Sequence, residues 1–478
     1  MKKLLWVGFC AGLVLPVCAQ EVKPKAAAEG VKPAVAADAV KPAADKGLDL
    51  DAGADLRVRQ EVLGNMPERN KTFMPDQNYI RYRPRVWGQV KNDDFKLYMR
   101  VTDEMRSYTE PNVPNYRWPD EAFLDNLYLD LYNLFGGLVD IRAGRQDFYG
   151  ANGPTYGAGR VLLDGTPNDG SRTVYMDAIK ATVKFDEKNS LDLLAIYNSP
   201  NNQLNLGHSY PYQDDERPLT GGINETEWGG GLYYRSKEIA EVPFELYYLY
   251  KRETKSKTTR TSGGTSASYV ADGRDTHTWG ARVMPKISDT VSAEVEGAVQ
   301  AGQKDSGAAT SGYMGYAGLT YKPLVDFTAK PYLTGACYYL SGDKDQGAGS
   351  NDSAWDPLWA RWPQFSELYV YNTIYGIGYW SNLIYPHVDA GVDLGPGHKV
   401  SSSLGPMYTA VEDGLGGGDG NLRGWLGMIR YDFPLAKNIF GKRGELFGHV
   451  TAEVLDPGDY YTSDQWAYFL RWEINARF

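Results

Sequence analysis

The last eleven residues constrain the fold of this chain more than any other stretch. Tyr468, Leu470, Trp472, Ile474, Ala476 and Phe478 alternate with Phe469, Arg471, Glu473, Asn475 and Arg477, and the sequence stops on that phenylalanine. Successive side chains of a strand point to opposite faces, so this segment is a strand with one fully apolar face and one largely polar face. Period two recurs upstream. Phe95, Leu97, Met99 and Val101 oppose Lys96, Tyr98, Arg100 and Thr102, and Val139, Ile141 and Ala143 oppose Asp140, Arg142 and Gly144. Ile179, Ala181, Val183 and Phe185 oppose Lys180, Thr182 and Lys184. No long stretch after residue 49 has helical periodicity, and a mean hydropathy of −0.46 excludes a bundle of membrane helices. Alternation alone would also suit a soluble sandwich.

The N-terminus narrows the choice. Lys2 and Lys3, an apolar run from Leu4 to Val17 and the small-residue site Val17-Cys18-Ala19 form a secretory signal over residues 1–19, with cleavage expected after Ala19. Lipidation at Cys18 is the alternative, disfavoured because Val17 stands where lipoprotein signals carry Gly, Ala or Ser. Cleavage leaves Cys337 as the lone thiol, so neither a disulfide scaffold nor a thiolate zinc site is available. Residues 20–48 repeat Val-Lys-Pro at 22–24, 31–33 and 40–42 among alanines, a composition that cannot bury a core. They are expected to form a disordered periplasmic tether: a passive spacer, or a contact to cell wall or a partner.

A strand ending in phenylalanine behind a secretory signal resembles the C-terminal signal of bacterial outer-membrane barrels, in which Trp472, Ile474 and Phe478 would address the barrel-assembly machinery. The physics agrees. In hydrocarbon every backbone group must be paired within the protein, so strands that cross a membrane must close into a barrel. The 35 tyrosines and 12 tryptophans supply aromatic girdles for contact with lipid and lipopolysaccharide. Residues 49–478, at about 24 residues per strand and connection, give an all-β, antiparallel transmembrane barrel of roughly 18 strands with an aqueous lumen. Long polar segments, expected outside the cell, are Tyr108–Asp120, Tyr149–Arg172, Ser199–Thr226, Lys255–Asp275, Gly342–Gln364 and Glu412–Asn421. Lys255–Asp275, rich in Thr, Ser and Gly, reads as a mobile loop. Trp355, Trp359 and Trp362 read as interface anchors, with covering a mouth or stacking on a sugar as the alternatives.

The chemistry concentrates near the start. In Tyr79-Ile-Arg-Tyr-Arg-Pro-Arg-Val-Trp87, the residues Arg81, Arg83 and Arg85 share one face opposite Ile80, Tyr82 and Val86. A guanidinium facing lipid near the midplane costs roughly 2–4 kcal/mol, so these three face the lumen. Arg57 and Arg59 repeat the pattern, and Arg100 and Arg142 lie on polar faces. Leu56–Arg106 carries 11 basic and 7 acidic residues, a net of +4, within a body of −13 once the leader (+2) and tether (+1) are set aside from the total of −10. A basic wall in an acidic protein suits selection of anions; the competing reading pairs these arginines with Glu61, Asp103 and Glu104. Pro84 lacks a ladder donor and implies a bulge or an unpaired position.

Tyr79-Ile-Arg-Tyr-Arg-Pro, Val139-Asp-Ile-Arg-Ala-Gly-Arg-Gln146, Tyr149-Gly150, Arg160, Trp355-Asp-Pro-Leu358 and Asn382-Leu383 resemble the alginate export family of outer-membrane barrels. That resemblance implies an 18-stranded barrel whose lumen passes a polyuronate, with Arg81, Arg83, Arg142 and Arg145 lining the conduit. Strict alternation instead sets Arg145 with Val139, Ile141 and Ala143, away from the lumen unless a bulge intervenes.

Other constellations are weak. Asp49-x-Asp51-x-Gly53-x-Asp55 lacks the closing acid of a calcium loop and reads as the solvated start of a strand. The histidines at 208, 277, 387, 398 and 449 have no metal spacing, and Asp214, Asp215 and Glu216 read as a solvated acidic loop. No cofactor, metal or catalytic set is expected, and the net negative charge argues against nucleic acid. The chain reads as a non-enzymatic channel for passive transport of anionic saccharides or small anions. An unselective porin and an adhesive barrel remain as alternatives.

Overall fold

The computed structural model describes residues 47–478, apart from 67–75, 111–121, 151–152, 162–174, 200–225, 238, 240–241, 263–264, 325–328, 346–349, 361–364, 369–379 and 440–442. The expected leader, most of the tether, Asp214–Glu216 and Trp362 lie outside the described residues.

Each strand pairs antiparallel with its neighbour in sequence, from Asp49–Gly64 onward. The last strand, Ala467–Arg477, then pairs with the first, with Ile474 against Val58 and Leu470 against Val62. That pairing closes an 18-stranded barrel, with Phe95–Thr102 and Met105–Glu110 forming one interrupted strand against Gln77–Lys91. Among the described residues, that closure leaves the barrel sheet itself without a free edge strand, as hydrocarbon demands. Phe478 extends the seam beyond the last strand, its amide donating to Ala54 O at 3.0 Å and its carbonyl accepting from Ala54 N at 3.2 Å.

The two sides of the wall follow the sequence period. Leu470, Trp472 and Ile474 are exposed on the outside, whereas Phe469, Arg471, Glu473 and Asn475 are buried inside. One end of the barrel carries short turns, such as 92–94, 185–188 and 394–398, and the other carries the long connections. Lys255–Asp275 is not irregular throughout. Ser256–Ser262 and Thr265–Ala271 pair as a β-hairpin, consistent with the strand preference of the β-branched Thr258, Thr259 and Thr261.

Trp355 and Trp359 correct an expectation, because neither anchors the barrel to the membrane interface. Both are fully buried, in a segment that turns into the barrel. Lys251 donates to Leu358 O at 2.8 Å, the Gln300 amide donates to Asp356 O at 2.7 Å, and Arg274 pairs with Asp356 at 2.8 Å. Farther along, Ser366 Oγ, Glu367 N and Leu368 N all donate to the carboxylate of Glu453 at 2.7–3.0 Å. A second inward segment, 153–161, is held from other strands. Tyr156 donates to Asp192 at 2.8 Å, Gly157 N donates to Tyr233 Oη at 2.8 Å, and Arg160 pairs with Glu294 and Glu296 at 2.6 and 2.7 Å. Buried amides of an inward loop have no water to bond, so the wall supplies their partners.

Candidate functional site

Inward positions of the first, second and last strands build a grid of charge. Register sets Asp55 between Arg85 and Arg477, Arg57 between Arg83 and Asn475, Arg59 between Arg81 and Glu473, and Glu61 between Tyr79 and Arg471. Two rungs therefore oppose like charges directly, Arg57 with Arg83 and Arg59 with Arg81. Such pairs destabilise a sheet unless carboxylates stand among them. Glu61 lies 3.1 Å from Arg59 and 3.6 Å from Arg81, bonds Arg471, and accepts from Tyr79 Oη at 2.6 Å. Glu473 lies 3.4 Å from Arg59 and 3.9 Å from Arg57.

The third strand supplies another carboxylate through an interruption. Arg85 is opposite Thr102 and Tyr82 is opposite Met105, and the ladder breaks between them. Pro84 sits at the break; it has no N–H to donate, although its carbonyl accepts from Asp103 N at 3.1 Å. The register is the same on both sides of the break, so Thr102 and Glu104 share the inward face, and Thr102, Asp103, Glu104 and Met105 are all buried. The Glu104 carboxylate contacts Arg81 and lies 3.6 Å from Arg57.

The local net of +4 thus does not survive folding as a bare basic wall. Six buried guanidiniums, those of Arg57, Arg59, Arg81, Arg83, Arg85 and Arg471, share their space with Glu61, Asp103, Glu104 and Glu473. Asp55 and Glu367 add contacts at the edges, 3.8 Å from Arg83 and 2.9 Å from Arg471. The neutralisation is uneven. Among the described residues, none of the three Arg57 guanidinium nitrogens makes a hydrogen bond, nor do Nε and Nη1 of Arg83. Their carboxylate neighbours stand at 3.6–3.9 Å.

Below this lattice, at the end with the short turns, lies a cavity of about 1030 Å³. Arg83, Arg85, Arg100 and Glu473 line it together with Trp87 and Tyr98, and Lys437, Arg443 and Phe478 contribute as well. Arg83 and Arg85 thus belong to both the buried lattice and the cavity wall.

The remaining arginines are placed differently. Arg100 pairs with Asp125 at 2.8 Å and Asp147 at 3.2 Å. Arg142 is half-buried, pairs with Asp130 at 2.6 Å and lies 4.0 Å over the Tyr128 ring. Arg145 does not join the lattice, which corrects the role implied by family resemblance. Register sets it opposite Leu127 and Asp177, on the row of Leu129 and the outward Ile179, and it pairs with Asp177 at 2.8 Å. Gly144 beside it has φ +125°, and a Cβ there would meet Leu127 O at 2.3 Å, so glycine is required at this position.

Arg471 and Glu473 are site residues that the sequence analysis left unassigned. Their signal was present, as the polar face of the last strand. Glu453 and Lys251 had no such signal, because their partners Ser366–Leu368 and Leu358 arrive from an inward loop, and Arg160, though part of the family motif, gave no sign that its partners would be Glu294 and Glu296.

The sequence profile of the alginate export family matches residues 48–404. The chain belongs to the alginate export family. Among solved structures, it is similar to OccAB2 of Acinetobacter baumannii, with a TM-score of 0.52 at 10% identity over 90% of this chain and 98% of that one. The outer membrane protein opdK of Pseudomonas aeruginosa gives 0.51 at 10% identity over 90% and 99%. OccAB1 of Acinetobacter baumannii gives 0.51 at 9% identity over 89% and 96%. Likeness at such identity concerns the fold alone. No curated protein matches the chain. Family membership and the closed 18-stranded barrel make this alginate export family protein an outer-membrane channel of a bacterial cell.

Proposed function

We propose that the channel passes anionic solutes, with acidic polysaccharide of the polyuronate type as the substrate that family membership favours. The observation that carries this reading is the loosely satisfied Arg57–Arg83 rung, whose second member also lines the cavity at the short-turn end. A carboxylate entering the cavity meets Arg83 and Arg85 at its wall, with Arg57 across the rung from Arg83 and Arg81 on the next inward rung. Each guanidinium presents a planar fork of donors that suits a carboxylate. Because lattice carboxylates already stand among the arginines, no single site holds a solute anion with the full strength of an unpaired buried charge. A channel needs such balance: binding strong enough to admit and weak enough to release.

Replacing Arg81, Arg83 and Arg85 together by Gln tests the proposal. It keeps polar side chains and removes three positive charges. Reversal potentials in planar bilayers under a salt gradient should show a fall in anion-over-cation permeability. Screening acts over about 8–10 Å near physiological salt, so the fall should be larger at low ionic strength. An unchanged reversal potential at low salt, with heat-modifiable migration showing an intact barrel, refutes anion selection by these arginines and leaves an unselective porin.

A further inference from the structure

We propose that Glu104 is a tethered counter-anion that occupies the innermost anion station of the conduit, and that a permeating carboxylate must displace it. The proposal rests on the anion-channel reading and names the residue that sets its selectivity. Three observations converge on this side chain. Glu104 follows Asp103, whose N–H bonds Pro84 O at the break in its strand, and the register on either side of the break sets Glu104 across from Arg83. Thr102 points inward at 0% exposure, so pleating turns Glu104 inward as well, and Asp103 between them is also buried. The carboxylate that results lies between Arg81 and Arg57, belonging to two different strands, within a site where a solute carboxylate would bind.

The chemistry of the station fits exchange better than a permanent lock. Arg57 approaches Glu104 and Glu473 at 3.6 and 3.9 Å, and its guanidinium makes no hydrogen bond among the described residues. Arg83, across the ladder from Arg57, leaves two guanidinium nitrogens without hydrogen bonds and reaches the cavity. A carboxylate arriving through Arg83 can therefore bond donors that the protein's own acids leave open. Glu104 carries the same charged group as the incoming solute. It keeps the station neutral when no solute is present and weakens the hold on a solute that arrives.

Glu104→Gln removes one negative charge and keeps the side chain's size. In planar bilayers at low salt, its anion-over-cation permeability ratio should rise about 2- to 5-fold, opposite in sign to the triple Arg→Gln variant. Sodium glucuronate added at the short-turn side should block chloride current for longer in Glu104→Gln than in the parent channel. Glu104→Asp, which retains the charge, should remain close to the parent. An unchanged or cation-shifted reversal potential in Glu104→Gln overturns the proposal, as does loss of the folded barrel in both variants, which would make Glu104 a structural pair. If the triple arginine variant alone shifts selectivity, the anion-channel reading stands and only the role of Glu104 falls. If the triple variant is silent too, the underlying reading fails.

Discussion

Glu453→Ala tests whether the inward loop between Lys330–Leu340 and Leu383–Asp393 is latched to the wall. The carboxylate accepts three hydrogen bonds from consecutive loop residues, Ser366 Oγ at 2.7 Å, Glu367 N at 2.9 Å and Leu368 N at 3.0 Å. A net contribution of about 1 kcal/mol each gives roughly 3 kcal/mol of latching, or about a 100-fold shift toward the released loop. The anchors at Lys251, Gln300 and Arg274 hold residues 356–358 independently, so release should be confined to the stretch around 365–368. The Glu367 and Leu368 amides, freed from the carboxylate, should then exchange with solvent deuterium up to about 100-fold faster than in the parent, and single-channel conductance should rise. Heat-modifiable migration should be retained, because no barrel pairing is touched. Equal exchange rates and equal conductance would refute the latch.

Two further outcomes follow from the wall itself. Deleting Phe478 removes both backbone bonds to Ala54 at the seam and the terminal aromatic residue, and should lower the amount of folded protein in isolated outer membranes; parent levels would overturn its role in assembly. Leu470→Arg places a guanidinium on the lipid side, one residue from the buried Arg471, and should destabilise the barrel in urea by up to roughly 2–4 kcal/mol; an unchanged midpoint would mean that this face does not contact lipid.

Much of this architecture is legible in the residues taken in order. The alternation of Tyr468–Phe478 separates the lipid face from the lumen face, and the chain length divided by strand spacing yields 18 strands. The arginines at 57, 59, 81, 83 and 85 declare their common side by period two alone. These features are local: a side chain's face follows from its position in the pleat, and the cost of a charge in hydrocarbon removes the opposite assignment. Arg145 shows the limit. A shared motif placed it in the conduit, whereas its parity and its Asp177 partner set it on the other side of the wall.

The charge of the site could not be summed along the chain. Leu56–Arg106 is basic by four, yet Glu473 comes from the last strand to stand beside its Arg57 and Arg59. Closing the barrel brings residue 473 beside residue 59, and Coulomb interaction depends on distance in space rather than in sequence. The same holds for the lumen filling. Trp355 and Trp359 carry no sign in the sequence of whether they face lipid or the interior. Their place is decided by Lys251, Gln300 and Arg274, three inward side chains on three different strands that bond their neighbours Asp356 and Leu358. The sequence by itself thus determined a closed barrel and the faces of its strands. Which charges meet and which loops turn inward were decided by tertiary structure, because the first depends on first- and last-strand residues about 410 positions apart that ring closure joins, and the second on wall residues 56 to 107 positions away from the loop.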